Sequence, residues 1–172
     1  KPKKITVLQT VPSLFRLLTN NLKEQNVSLT ALKEVVLAGE KLYGGDVELW
    51  RSIEGHTARM SNLYGLTETT VLKSCYHIPE TELDTGSVLP VGKSIDNSMI
   101  AVINDSGLSL WGEIGEVYIK SPYTTKGYLD TELTKNLFVQ NPLVTDREDY
   151  VCKTGDIGRY DAEGNLEILG RI

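Results

Sequence analysis

An alternation of strand, helix, strand, helix and strand across residues 5–63 constrains this chain more than any other feature. Residues 5–8 are a short apolar run of the kind that forms a buried strand. Residues 11–25 predict a helix: Pro12 suits its first turn, and Leu14, Phe15, Leu17, Leu18 and Leu22 recur at helical spacing as one core-facing stripe. A helical turn is expected at 28–32, a second apolar strand at 34–37, and a tight turn at Ala38-Gly39-Glu40. Gly44-Gly45-Asp46 then opens a helix to about residue 53, with Asp46 as its expected cap and Val47, Leu49 and Trp50 as its packing face. Residues 58–63 complete the series as a third strand. This order implies an α/β lobe with a parallel sheet, because parallel neighbours need a long crossover that a helix supplies. Ligands of such sheets collect at the carboxyl ends of strands, so the loops at Gln9-Thr10, Ala38-Gly39-Glu40 and 62–68 are expected to converge on one crevice.

The third of these loops carries the most chemistry. Residues 62–72 read N-L-Y-G-L-T-E-T-T-V-L: an aromatic, three hydroxyls and one acid around a glycine. Tyr64 offers a flat face for a base, Gly65 lets backbone approach a ligand closely, Thr67, Thr69 and Thr70 can donate to anionic oxygens, and Glu68 can hold a hard cation. The set describes a nucleotide-phosphate and Mg²⁺ site.

Beyond Thr69 the pattern becomes short strands separated by turn signals, which predicts a β-rich, barrel-like lobe with antiparallel pairing. The expected strands are 70–77, 99–103, 115–120, 157–160 and 166–169, with a hairpin turn at Asn104-Asp105-Ser106-Gly107 and a short helix over 130–136 capped by Asp130 or Thr131. A boundary is expected near residue 82, giving an α/β lobe over 1–82 and a β-rich lobe over 83–172. In Lys153-Thr154-Gly155-Asp156, placed between a polar loop and a strand, an exposed carboxylate at Asp156 is set to accept two hydroxyls at once. Glycine beside an aromatic recurs at Gly127-Tyr128.

Composition narrows the partners. A net charge of -5 over 172 residues, with no basic cluster beyond Lys1, Lys3 and Lys4, argues against nucleic acid or an anionic membrane. Cys75 and Cys152 stand far apart with no metal-ligand spacing, so reduced thiols in a cytoplasmic protein are expected.

Taken in order, these pieces resemble the adenylate-forming superfamily, which includes acyl-CoA synthetases, firefly luciferase and the adenylation domains of nonribosomal peptide synthetases. Residues 36–40 resemble the family's loop before the adenine site and residues 62–70 its Y-G-x-T-E-T-T motif. Residues 115–119 with 126–129 resemble its G-E-L-x-I and G-Y segments. Residues 153–156, Gly164-Asn165 and Leu169-Gly170-Arg171-Ile172 resemble its T-G-D to G-R run, with Glu163 where the family usually has Asp. The Gly-Arg ending and the Thr-Gly-Asp spacing look closer to the peptide-synthetase branch than to a generic acyl-CoA ligase.

The resemblance implies a flavodoxin-like α/β part and a set of roles. Tyr64 would stack on adenine, Asn62 would meet its amino edge, and Gly39 and Glu40 would line the nucleotide pocket through their backbone. Thr67 would touch the α-phosphate, Glu68 would ligate Mg²⁺, Asp156 would bind the ribose hydroxyls and Arg171 would sit by ribose and phosphates. It implies ATP and Mg²⁺ as cofactors, a small carboxylic or amino acid as substrate, and a carrier protein's phosphopantetheine arm as acceptor. Gln9, Val36, Ala38, Leu63, Val71 and Leu72 resemble positions that line the family's substrate pocket; five of the six are apolar, so a modest, uncharged aliphatic side chain is expected. The family's Lys-containing phosphate loop would lie before Lys1 and its mobile C-terminal part after Ile172, so this stretch is expected to need those remaining parts of the adenylation domain for catalysis. An acyl-CoA or fatty-acyl ligase, and a non-catalytic scaffold derived from the fold, are the alternatives.

Overall fold

The computed structural model describes residues 4–27 and 29–172. The chain divides into two compact units. One holds the chain through Leu63 together with Tyr76–Leu89; the other holds Tyr64–Cys75 with Pro90–Ile172.

In the first unit, strands β1 (Val7–Thr10), β2 (Glu34–Ala38) and β3 (Arg59–Tyr64) run parallel, connected by helices α1 (Pro12–Glu24) and α2 (Gly44–Arg51). The ladder pairs Gln9 with Val36, Leu37 with Asn62 and Ala38 with Leu63. Strand β1 begins at Val7, two residues later than the apolar run suggests, because pairing with β2 and not hydrophobicity sets its ends; Ile5 is left exposed. Residue 28, where the expected helical turn begins, lies outside the described residues; from Leu29 the chain makes a turn closed by Leu32 N–H on the Leu29 carbonyl at 2.9 Å.

Helix α1 starts with Pro12 in its first turn, where a missing N–H costs no hydrogen bond. Its leucines do not form one stripe. Phe15 and Thr19 are buried and Leu22 half-buried, while Leu14 and Leu17 remain exposed. At about 100° of rotation per residue, an arc centred on Phe15 takes in 19 and 22 but turns 14 and 17 away. Asp46 likewise differs from expectation. It stands at the third position of α2, not at the cap, which is Tyr43; from there its carboxylate accepts from the Tyr43 N–H at 3.3 Å and from Arg16 of α1 in bidentate fashion at 2.6 and 2.8 Å. The core gathers Phe15, Val35, Leu37, Leu42, Val47, Trp50 and Met60, with the Phe15 and Trp50 rings 5.5 Å apart.

The second unit is built on an antiparallel sheet in the order β11-β10-β8-β6-β7, made of β6 (Met99–Asn104), β7 (Gly107–Leu108), β8 (Gly115–Lys120), β10 (Tyr150–Tyr160) and β11 (Leu166–Arg171). Strand β9 (Phe138–Gln140) adds to β10, and β5 (Lys93–Ser94) pairs with Ser74 and Cys75 of β4 (Ser74–His77). The hairpin at Asn104 forms as expected, with Ser106 N–H on the Asn104 side-chain oxygen at 2.8 Å. Helix α3 (Thr131–Leu137) is capped by Asp130, which accepts from Glu132 N–H at 2.8 Å. Strand β10 is far longer than the expected 157–160. It reaches back to Tyr150 because β9 pairs with Tyr150, Val151 and Cys152 and β8 with Cys152 and Lys153, and so the Thr-Gly-Asp triplet lies inside a strand and not in a loop. Val102, Val117, Ile119, Cys152 and Leu166 form this unit's core.

The fold class is thus as the sequence implies, a parallel α/β part and an antiparallel β part. The division by contacts, however, does not fall at a single break near residue 82. It cuts within β3 and β4, because residues 64–75 bond to the antiparallel unit, as the site shows.

Candidate functional site

In the first unit the expected residues collect at the carboxyl ends of the parallel strands. Val35 and Leu37 point into the core, so by strand alternation Val36 and Ala38 take the opposite face; register adds Gln9 beside Val36 and Leu63 beside Ala38. Gln9, Val36, Ala38 and Leu63 therefore share one sheet face. Gly39 follows with a φ of 92°, a turn for which glycine is suited. The Glu40 side chain is engaged at the start of α1, accepting from Ser13 N–H at 2.8 Å and Ser13 Oγ at 2.9 Å. Asn62 is 1% exposed, its amide N–H 3.5 Å from the Leu89 carbonyl.

In the second unit, Tyr64, Asp156 and Arg171 form one set, joined by a hydrogen bond and an ion pair. The Tyr64 hydroxyl donates to Asp156 Oδ2 at 2.6 Å, and Arg171 Nε stands 3.4 Å from Oδ1. Asp156 and Arg171 are cross-strand partners of β10 and β11, and Arg171 also donates to the Thr154 carbonyl at 3.3 Å. Asp156 is not the exposed turn residue that the sequence suggests: it is 6% exposed, because a bulge in β10 at Gly155, with a φ of 72°, turns it inward. Thr154 Oγ1 braces the bulge by donating to the Val117 carbonyl at 2.7 Å and accepting from Asp156 N–H at 3.0 Å. Burial, and then the bond to Asp156, push the Tyr64 phenol well above its ordinary range. Tyr64 therefore stays a neutral donor.

The loop after Tyr64 folds on itself. A Cβ on Gly65 would sit 2.1 Å from the Val71 carbonyl, so the close approach that needs glycine here is to the chain itself. Thr69 and Thr70 spend their hydroxyls on carbonyls, of Leu66 at 3.1 Å and Tyr123 at 2.6 Å, which leaves the exposed Thr67 as the hydroxyl facing solvent. Thr70 and Val71 both hold left-handed φ values of 64°, and for β-branched residues this is strained. Val71 is exposed and Leu72 half-buried. Glu68 is half-buried in the short 3-10 turn Thr67–Thr69.

Two partners of the site escape sequence reasoning. The Tyr128 hydroxyl donates to Glu68 Oε1, and Thr125 N–H to the Glu68 carbonyl at 2.8 Å. Glu116 of β8 accepts from Gly155 N–H at 3.2 Å and pairs with Lys153 at 3.4 Å. Glycine beside tyrosine at 127–128 is a trace of the first; the second follows only from register. Among the described residues no three His, Cys, Asp or Glu side chains gather as a metal cage. A lone carboxylate suits Mg²⁺ all the same, since that ion takes most of its ligands from phosphate oxygens and water at nucleotide sites. Among the described residues no helix is long and apolar enough to cross a membrane, and neither cysteine is in a disulfide.

The model of the family described as AMP-binding enzyme matches residues 1–129. Tyrocidine synthase 3 of Brevibacillus parabrevis is 38% identical over 174 aligned residues that cover 100% of this chain and 3% of the relative, so the chain spans only a small part of that protein's length. Among solved structures, CmiS6 superposes with a TM-score of 0.87 at 30% identity, over 98% of this chain and 41% of its own. An artificially fused Adenylation-PCP di-domain NRPS from Klebsiella oxytoca, NpsA-ThdA, superposes with a TM-score of 0.83 at 26% identity, over 98% of this chain and 31% of its own.

Proposed function

Because the chain belongs to the AMP-binding enzyme family, we propose that it is part of an ATP-dependent adenylation domain that activates an amino acid or related small carboxylic acid for nonribosomal peptide synthesis. In that reaction a carboxylate oxygen of the acid bonds to the α-phosphorus of ATP, the bond to the bridging oxygen breaks, and pyrophosphate leaves with the electron pair. The acyl group then passes from the adenylate to a carrier-protein thiol, with AMP leaving.

The observation that carries this reading is the set of Tyr64, Asp156 and Arg171, Asp156 being hydrogen-bonded to Tyr64 and ion-paired with Arg171. An aromatic ring, a buried carboxylate and a guanidinium are what a nucleoside phosphate needs: a stacking face, an acceptor for ribose hydroxyls and a cation for phosphate. Asp156 has two oxygens and about four lone-pair sites. Tyr64 and Arg171 leave acceptor capacity for a diol. Thr67 stands free to donate to a phosphate oxygen. Glu68 would hold Mg²⁺, which when bound neutralises phosphate charge. Asn62 would meet the adenine edge, with Gly39 and Glu40 lining the pocket by backbone. Gln9, Val36, Ala38 and Leu63, which share a sheet face, would with Val71 and Leu72 line the acyl pocket. Catalysis here is positioning and charge neutralisation, with no nucleophile on the protein.

The partners follow from the same reading: the small acid, the carrier's phosphopantetheine arm, here supported by the Adenylation-PCP fusion among the similar structures, and the remaining parts of the domain. Two cysteines outside any disulfide fit a cytoplasmic setting. The test is acid-dependent exchange of pyrophosphate into ATP by the complete polypeptide, across amino, keto, hydroxy and fatty acids. Exchange with one small aliphatic acid is expected; exchange confined to fatty acids would move the assignment to an acyl ligase, and none with folded protein would leave a scaffold.

A further inference from the structure

Residues 121–130 form a strap that closes on the acid-bearing turn of the second unit. Thr70 Oγ1 donates to the Tyr123 carbonyl at 2.6 Å, and Thr125 N–H donates to the Glu68 carbonyl at 2.8 Å, tying the strap to the middle of the turn and to the residue that follows it. From there the chain bends at Gly127, whose φ of 117° suits glycine and whose added Cβ would meet Thr134 Cγ2 at 2.4 Å. Thr134 of α3 fixes the next residue, accepting from Tyr128 N–H at 2.8 Å while donating to the Asp130 carbonyl at 3.1 Å. Tyr128 is thereby aimed from a braced backbone, and its hydroxyl reaches Glu68 Oε1.

We propose that Tyr128 is a positioning residue for Glu68, holding one carboxylate oxygen so that the other is presented to the divalent cation of a bound nucleotide. This inference rests on Glu68 being the metal-binding acid. A glutamate has three rotatable side-chain bonds, and ordering it at the moment of binding would cost entropy. A phenol donating to Oε1 removes part of that freedom in advance and leaves the lone pairs of Oε2 unused. Its role is that of an outer partner of a metal ligand, which orients the ligand without touching the ion. Tyr128 is itself largely exposed, and so its ring contributes little to the core. Nothing in the packing of the unit calls for a tyrosine there; the bond to Glu68 does.

The experiment measures, by calorimetry on the complete polypeptide, how much Mg²⁺ tightens ATP binding, comparing excess Mg²⁺ with EDTA. Tyr128→Phe, Glu68→Gln and the double variant are compared with the unsubstituted protein. Tyr128→Phe is expected to reduce the Mg²⁺-dependent gain by about tenfold, as loss of an outer partner of a metal ligand does. Its metal-free ATP affinity and thermal midpoint stay unchanged, and it adds nothing to Glu68→Gln. If Glu68→Gln abolishes the gain while Tyr128→Phe leaves it intact, or if the two effects simply add, the role of Tyr128 is overturned and that of Glu68 stands. If Glu68→Gln leaves the gain intact, the assignment of Glu68 fails and the inference fails with it.

Discussion

Asp156 and Tyr64 are the residues on which most of the account turns, and their burial changes what their substitution should do. Were Asp156 an exposed turn residue, its removal would touch ligand binding alone. At 6% exposure, with the Tyr64 hydroxyl aimed at it, it is also structural. Tyr64→Phe leaves a buried carboxylate short of one donor and is expected to lower stability by about 1–2 kcal/mol in urea denaturation. Tyr64→Ala should in addition weaken nucleotide binding by about 1–3 kcal/mol through lost stacking. Cys152 supplies a pH test. Burial, and then the charge of Glu68, push its thiol up from 9.0 to about 12. Above the ordinary thiol range the unfolded chain releases this proton while the folded chain keeps it, so stability falls with rising pH, by about 1.4 kcal/mol per unit, until the folded value is passed. Tyr64, raised in the same direction, extends the loss to higher pH. Native protein at pH 8 should accordingly be alkylated at the half-exposed Cys75 and spared at Cys152; equal labelling of both would contradict the burial.

At the scale of elements, patterning reveals which segments become strands and helices but not where each ends. Apolar periodicity finds β2, β3, β6 and β8 nearly to their limits. It misplaces β1 and shortens β10, because ladder partners elsewhere in the chain set those ends. It reads Leu14 and Leu17 as core when only the Phe15 side of α1 is covered. The candidate residues are legible as chemistry, yet sequence cannot show that Thr69, Thr70 and the Glu40 side chain are already engaged by their own chain, nor that Tyr128 reaches Glu68. Two predictions belong here. Gly65→Ala would drive a methyl into the Val71 carbonyl and should cost about 2 kcal/mol or more, whereas Gly170→Ala, with open space around it, should stay within about 0.5 kcal/mol. Asp46→Ala removes the carboxylate that joins α1 to α2 through Arg16 and accepts from the Tyr43 N–H, and denaturant titration should show a loss of about 1–2 kcal/mol, since Arg16 is half-exposed and water takes over its charge.

For the molecule as a whole, the two units divide the proposed work. One presents strand ends and an apolar sheet face suited to the acyl group; the other presents the aromatic, carboxylate and guanidinium suited to a nucleotide. The motif loop is cut from the strand that delivers it: Asn62 belongs to the first unit, and Tyr64 to Cys75 belong to the second. A linear boundary drawn from composition cannot represent that division. The central claim, that the second unit binds the nucleoside of ATP, is tested most directly by the dissociation constant for ATP of the complete polypeptide and its Asp156→Asn variant, which keeps the side-chain shape and discards the charge. A loss of about tenfold or more, the worth of a charge-assisted hydrogen bond, in a variant that melts lower but still cooperatively, is the predicted result. An unchanged dissociation constant in the folded variant would contradict it.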